Sequence, residues 1–125
     1  MIELGQDRQP DARDGDEVLD ALEAVVEALE QNSLRNEMAV ELVHAIRRAR
    51  AEGRPYREIF SGEHPPLILD LIRANLQSLL DVGSRLRRAE ARALHDQGMT
   101  MDQIAELFGV TRQRVSALLR EIREP

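Results

Sequence analysis

Hydrophobic residues recur at steps of three and four along most of the chain, the pattern of helices that bury one face. The first run predicts a helix over residues 16–31. We expect a short turn at Asn32-Ser33, with Ser33 as the N-cap of a second helix that ends near residue 52. Gly53 then suits a helix C-cap, and Pro55 is suited to open a short helix through Ile59 and Phe60.

A longer hydrophobic seam predicts one extended helix from about residue 66 to residue 97. A glycine inside a helix costs roughly 1 kcal/mol, and a serine favours the N-cap position. We therefore expect a kink or hinge at Gly83-Ser84, with a new helix capped by Ser84 and a module boundary there. The seam is formed by Ile68, Leu71, Ile72, Leu76, Leu79, Leu80, Val82, Leu86, Ala89, Ala93 and Leu94.

Residues 101–120 carry the apolar pattern of two short helices joined by a tight turn. Thr100 and Gln103 have the spacing of a capping box, and Gly109 supplies a turn conformation that most residues adopt only with strain. Thr111 is suited to cap the second helix. We expect the inward positions to be Ile104, Ala105, Phe108, Val110, Val115, Leu118 and Leu119.

The opposite face of the second helix is polar and basic, and it is short enough to enter the major groove of DNA. Arg112 suits a guanine edge and Gln113 an adenine edge, while Arg114 and Arg120 suit phosphates. Thr111 would combine its cap with a phosphate contact. The candidate DNA-binding residues are Thr100, Thr111, Arg112, Gln113, Arg114, Ser116, Ala117 and Arg120.

The run Gly109-Val110-Thr111-Arg112-Gln113-Arg114-Val115 resembles the helix-turn-helix with which sigma factors read the −35 promoter element. Residues 112–120 are also similar to small actinobacterial helix-turn-helix regulators. The resemblance covers residues 84–123, and it implies a transcription regulator that binds double-stranded DNA. Ala117 departs from the sigma-factor pattern, in which a longer polar side chain is usual.

A segment with similar residue spacing, a possible partial repeat, precedes the motif in the chain. Residues 49–59 align with residues 93–104, and both segments place an isoleucine six residues after a glycine that ends a helix. The first copy lacks the Gly-Val-Thr turn and a recognition helix. It is either a degenerate relative of the motif or a coincidence of helix and turn signals, and we assign it no DNA contact.

Composition agrees with an all-α fold, because Ala, Leu, Arg and Glu dominate and the 125 residues include only three aromatic side chains. We expect a disordered tail over residues 1–15 and an acidic helical module over residues 16–82. A three-helix helix-turn-helix module should follow over residues 83–125. The acidic module carries more apolar surface than it can easily bury alone, so we expect it to form a homodimer.

The net charge of −6 is unevenly distributed. Residues 85–125 carry eight arginines against six acids, whereas residues 1–84 carry nine arginines against seventeen acids. A small basic surface therefore has to supply the DNA contacts. Arg87 and Arg88, in the helix before the motif, are interpreted as a solvated face, whereas phosphate contacts by Arg85 and Arg92 stay open.

No enzyme, cofactor or metal site is expected. The chain has no cysteine and three scattered histidines, and it shows no phosphate loop, nucleophile elbow or catalytic triad spacing. No signal peptide or membrane-spanning run is visible, so a cytoplasmic location is expected.

Two hypotheses of different class remain. The first is a sequence-specific transcriptional regulator that reads the major groove with the helix starting at Thr111. The alternative, which the acidic charge favours somewhat, is a protein-interaction module that docks on RNA polymerase or a sigma factor, with vestigial DNA binding. A sequence-independent architectural DNA binder fits less well, because the basic surface is small.

Overall fold

A computed structural model describes residues 16–61 and 65–120 of the chain. These residues form five helices and no strand, so the all-α prediction is confirmed. The predicted disorder of residues 1–15 and the last five residues of the predicted helix-turn-helix module, 121–125, lie outside the described residues. The helices are α1 (Glu17–Ala51), α2 (Tyr56–Phe60), α3 (Pro65–Asp96), α4 (Met101–Phe108) and α5 (Arg112–Arg120).

The chain divides into two compact units. Residues 1–25 and 82–125 form one, which we call the split unit, and residues 26–81 form the other, which we call the inserted unit. Helices α1 and α3 each contribute residues to both units. The start of α1 thus groups with the carboxy-terminal helices, whereas the sequence pattern predicts it to be part of the acidic module. The functional division at residue 83 stays a prediction.

The predicted turn at Asn32-Ser33 is wrong, because α1 continues through both residues. Asn32 is 7% exposed, and its side-chain oxygen accepts a hydrogen bond of 3.0 Å from Nη1 of Arg35. The same Nη1 donates to Oδ1 of Asn75 at 3.2 Å, and Nδ2 of Asn75 donates to Oδ1 of Asn36 at 2.9 Å. These hydrogen bonds join α1 to α3 inside the inserted unit. Asn32, whose local preference is for turns, thus has a helical partner, Arg35, which is itself held by Asn75 of α3.

The predicted helix start at Ser84 is also wrong, because α3 runs unbroken from Pro65 to Asp96. A Cβ atom added at Gly83 would have no heavy atom within 4 Å. The glycine therefore relieves no steric clash, and it remains a weak helix former that the surrounding helix tolerates.

The inserted unit buries few apolar side chains. Ala28, Ile59 and Leu71 are 8%, 4% and 9% exposed. The rings of Tyr56 and Phe60 in α2 stack with centroids 5.5 Å apart, although both side chains are about half exposed. Much of the apolar seam that the sequence predicts thus lies on the surface of this unit.

The similarity between residues 49–59 and 93–104 extends to the backbone geometry of the turns that they contain. After α1, the backbone N–H of Arg54 donates to the carbonyl of Ala49 at 3.2 Å; after α3, that of Met99 donates to the carbonyl of Leu94 at 3.0 Å. Both are the long hydrogen bond of a Schellman turn. Because α2 has five residues and α4 has eight, the similarity lies in the turns and the start of the following helix.

The core of the split unit lies where α4 and α5 meet the end of α3. Ile104 and Val115 have no exposed surface, Leu118 is 1% exposed, and Ala105 is 7% exposed. Around the cluster of Ile104, Ala105 and Val115 pack the partly buried side chains of Leu94, Met99, Met101, Phe108 and Leu119.

An ion pair ties the start of α1 into the same unit. Nη1 of Arg92 lies 2.6 Å from Oε2 of Glu17, and both side chains are largely buried. Arg92, whose phosphate contact the sequence left open, thus has a structural partner 75 positions earlier in the chain.

Candidate nucleic-acid interface

The capping box at the start of α4 is confirmed. The backbone N–H of Gln103 donates to Oγ1 of Thr100 at 3.1 Å, and the backbone N–H of Thr100 donates to Oε1 of Gln103 at 2.9 Å. Two of the backbone donors that a helix start leaves unsatisfied are bound in this way. The direction and first residue of α4 are therefore fixed by local hydrogen bonds.

The turn between α4 and α5 is a Schellman turn centred on Gly109. This glycine has a φ of 72° and a ψ of 35°, in the left-handed region, as the sequence predicts. Its N–H donates to the carbonyl of Glu106 at 3.3 Å, and the N–H of Val110 donates to the carbonyl of Ala105 at 3.0 Å. Together these bonds set the angle at which the chain leaves α4.

The prediction that Val110 returns to the core is wrong, because its side chain is 39% exposed. The turn holds Val110 by its backbone, while Ile104 and Val115 fill the interior of the unit. Leu107, on the last turn of α4, is 63% exposed. Two exposed apolar side chains thus stand at or beside the turn of the helix-turn-helix, and we call them the turn pair.

Thr111 caps α5, as predicted. Its Oγ1 accepts a hydrogen bond of 3.0 Å from the backbone N–H of Arg114. The buried residues Val115 and Leu118 fix the rotation of the helix, because their positions define its inner face. The opposite face must therefore point away from the core.

The structure places the candidate DNA-binding residues on or beside that outer face. Thr100, Thr111, Arg112, Gln113, Arg114 and Arg120 are exposed, while Ser116 and Ala117 are partly buried. Nη1 of Arg120 donates to Oγ of Ser116 at 2.8 Å, which lays the arginine along the helix. The roles of these residues toward DNA remain predictions.

Sequence reasoning missed a carboxylate at this surface. Oδ1 of Asp102, in the first turn of α4, lies 3.8 Å from Nε of Arg112, the first residue of α5. The two side chains are 74% and 62% exposed. The sequence signal was the acid two residues after the Thr100 cap, but the pairing depends on the angle between the helices.

The basic run in α3 has structural contacts as well. The guanidinium of Arg87 lies 4.0 Å from the ring centroid of Phe108, and its Nη1 lies 3.6 Å from Oε1 of Glu90. Arg87 therefore braces the end of α4 against α3, a more specific role than the solvated face that the sequence predicts.

An open cleft of about 600 Å³ lies beside this contact within the split unit. It is lined by polar and apolar side chains, among them Arg87, Glu90, Leu107 and Phe108.

Over residues 16–61 and 65–120, no three His, Cys, Asp or Glu side chains are grouped as metal ligands. None of the described helices is long and apolar enough to cross a membrane.

Comparison with known families agrees with this geometry. Residues 83–124 match the family of homeodomain-like domains, over about a third of the chain. That range covers the second half of α3 together with α4 and α5. No curated protein and no solved structure is significantly similar to the chain. Residues 83–124 are thus similar to a homeodomain-like domain, and this similarity supports a helix-turn-helix DNA-binding regulator in general.

Proposed function

We propose that the chain is a non-enzymatic, sequence-specific transcriptional regulator that inserts α5 into the major groove of DNA. The observation that carries this proposal is the division of α5 into two faces. Val115 and Leu118 are buried, while Arg112, Gln113 and Arg114 in the first turns are exposed. A recognition helix needs this arrangement, because its first residues reach base edges while its inner face holds it on the domain.

Each exposed side chain has a chemical role in the proposal. Arg112 can donate two hydrogen bonds to O6 and N7 of guanine, and Gln113 can pair with N6 and N7 of adenine. Thr100, Arg114 and Arg120 would contact phosphates and so fix the register of the helix in the groove. The sigma-factor-like sequence of residues 109–115 supports the same orientation.

Charge favours specific over non-specific binding. Residues 100–120 carry three arginines and two acids, whereas residues 1–25 carry eight acids and two arginines. Non-specific affinity for DNA comes almost entirely from phosphate neutralisation. With so small an excess of positive charge, useful affinity has to come from base contacts, and this argues against an architectural, sequence-independent binder.

We further propose that the chain acts as a homodimer through the inserted unit. Among the residues of this unit whose burial the structure describes (26–61 and 67–81), fourteen large apolar side chains are at least 39% exposed, while three apolar residues are buried. Its nine acids and seven arginines nearly cancel, so two copies can approach without strong repulsion. The exposed residues are Val26, Leu29, Leu34, Met38, Val40, Val43, Tyr56, Phe60, Leu67, Leu69, Ile72, Leu76, Leu79 and Leu80.

A second copy is also what the DNA function requires. One recognition helix contacts too few bases to find a single site in a genome, and linked binding of two helices multiplies their affinities when both can engage. A two-fold dimer would recognise a pseudo-palindrome whose half-sites lie about 34 Å apart, or a multiple of that spacing.

Selection from random duplexes tests DNA reading directly. The full chain should enrich one sequence and bind it with a Kd on the order of 10⁻⁸ M, more weakly as salt rises. Arg112→Ala and Gln113→Ala should each cost about 1–3 kcal/mol against the selected site and keep the helical circular dichroism signal. Arg47→Ala, an exposed arginine of the inserted unit, is the control and should bind normally. Unchanged affinity in the double variant would refute the proposal.

Sedimentation or light scattering tests the dimer. The full chain should have twice the 14.2 kDa mass of one copy. Leu76→Glu with Leu80→Glu should give a folded monomer, because both side chains are at least 60% exposed within one copy. The control Leu107→Glu, equally exposed but in the split unit, should stay dimeric. A native chain with the mass of one copy would exclude the dimer.

The exposure of the turn pair, Leu107 and Val110, favours a second function. These side chains, 63% and 39% exposed, adjoin the recognition helix and could bind a protein partner such as RNA polymerase or a sigma factor. In that case Leu107→Glu should abolish co-purification with RNA polymerase and leave DNA affinity unchanged. Equal recovery of the variant and the native chain would exclude this docking surface.

A further inference from the structure

Two charged side chains from different helices meet at the surface proposed to read DNA. Nε of Arg112 lies 3.8 Å from Oδ1 of Asp102. The backbone beneath each is fixed locally: the capping box sets the start of α4, and the Thr111 hydroxyl sets the start of α5. The pair is therefore part of the helix-turn-helix, and it depends on the angle at which α4 and α5 cross.

We propose that Asp102 is a positioning residue that determines specificity by orienting the guanidinium of Arg112. The inference rests on the proposed function, since it concerns how Arg112 meets a base. An arginine has five donors in a planar fork, and a carboxylate beside Nε leaves the two terminal nitrogens available for O6 and N7 of guanine. An arginine held in this plane loses less conformational freedom on binding the correct base.

The same carboxylate acts against incorrect sequences. A negative charge beside the groove repels phosphates, and this repulsion is offset only where Arg112 forms its full set of base contacts. Without Asp102, the guanidinium would be free to turn toward the nearest phosphate. Asp102 thus lowers the affinity for arbitrary DNA more than the affinity for the selected site.

A merely structural role of Asp102 makes a different prediction. An acid in the first turn stabilises a helix through its dipole. Loss of that effect would lower the thermal stability and change binding to every duplex by the same factor. The ratio of the affinities for the selected duplex and a scrambled duplex therefore separates positioning from helix stabilisation.

The test measures this ratio by fluorescence anisotropy with the full chain, using the duplex enriched from the random library and a scrambled duplex of the same length. Asp102→Asn should lower the ratio about three- to fivefold, the upper end of the effect measured for loss of one exposed ion pair. Asp102→Glu retains the charge, so this variant should keep most of the native ratio. Glu106→Gln, an equivalent charge removal one turn further along α4, should leave the ratio unchanged.

A double-variant cycle tests whether Asp102 affects the ratio through Arg112. In an Arg112→Ala background, Asp102→Asn should no longer lower the ratio, because no guanidinium remains to be oriented. A ratio within about twofold of the native value in Asp102→Asn, or an equal fall in Glu106→Gln, would overturn the inference. If the native chain enriches no duplex, the proposed function and the inference both fail; normal enrichment with an unchanged ratio overturns the inference alone.

Discussion

Replacing Gly109 by alanine should destabilise the split unit by about 1–2 kcal/mol through backbone strain alone. The glycine has a φ of 72°, and a Cβ atom added there would meet no heavy atom within 4 Å. Steric overlap with neighbours therefore contributes nothing to the loss of stability. The whole loss is the free energy that an alanine requires to adopt a left-handed backbone conformation. The Schellman hydrogen bonds of Gly109 and Val110 hold the residue in that conformation.

Gly83 provides a matched control with the opposite expected sign. It lies inside α3, and a Cβ atom there would also meet nothing within 4 Å. Gly83→Ala should therefore stabilise the protein by roughly 1 kcal/mol, the difference in helix propensity between the two residues. The same chemical change at two sites without steric contact should thus differ by about 2–3 kcal/mol in the free energy of unfolding.

Urea unfolding followed by far-ultraviolet circular dichroism measures both variants at one protein concentration. Because two compact units need not unfold together, hydrogen exchange of the α4 and α5 amides should accompany it. Gly109→Ala should lower their protection, and Gly83→Ala should not. A Gly109→Ala variant as stable as the native chain would show that the turn is not left-handed in solution, and the angle inferred between the two helices would then lose its basis.

Three further predictions concern packing. Ala105→Glu buries a charge without a partner in the core of the split unit and should cost several kcal/mol; an unchanged thermal midpoint would contradict the helix crossing. Arg35→Ala removes the donor to the buried oxygen of Asn32 and should cost about 1–3 kcal/mol in urea unfolding, whereas a neutral result would exclude that hydrogen bond. A fragment beginning at Ser84 lacks Glu17 and should be monomeric and less stable than the full chain; equal stability would show that the start of α1 contributes nothing.

The helix-turn-helix could be predicted from the sequence because its determinants are local. The Thr100 capping box, the left-handed Gly109 and the Thr111 cap each involve residues no more than five positions apart. The alternation of buried and exposed positions in α5 follows from helical periodicity. Helical periodicity is therefore enough to predict which residues of α5 are exposed, while their contacts with DNA stay a prediction.

The sequence-based predictions are wrong or incomplete where contacts between distant parts of the chain determine the structure. Asn32 has the local signal of a turn, but its partner Arg35, itself bound to Asn75 on α3, keeps it helical. Gly83 and Ser84 suggest a helix boundary, but α3 continues through both. The pairing of Asp102 with Arg112 depends on the crossing of two helices, which periodicity cannot supply.

The ion pair between Glu17 and Arg92 also affects the order in which the parts of the protein fold. It joins residues 75 positions apart, with the whole inserted unit between them in the chain. The inserted unit is complete on the ribosome while α4 and α5 are still unmade, so it has the first opportunity to fold. Its folding shortens the loop that must close before Glu17 meets Arg92, which reduces the entropy lost in that step. The candidate DNA-reading surface should consequently be the last part of the chain to become native during synthesis.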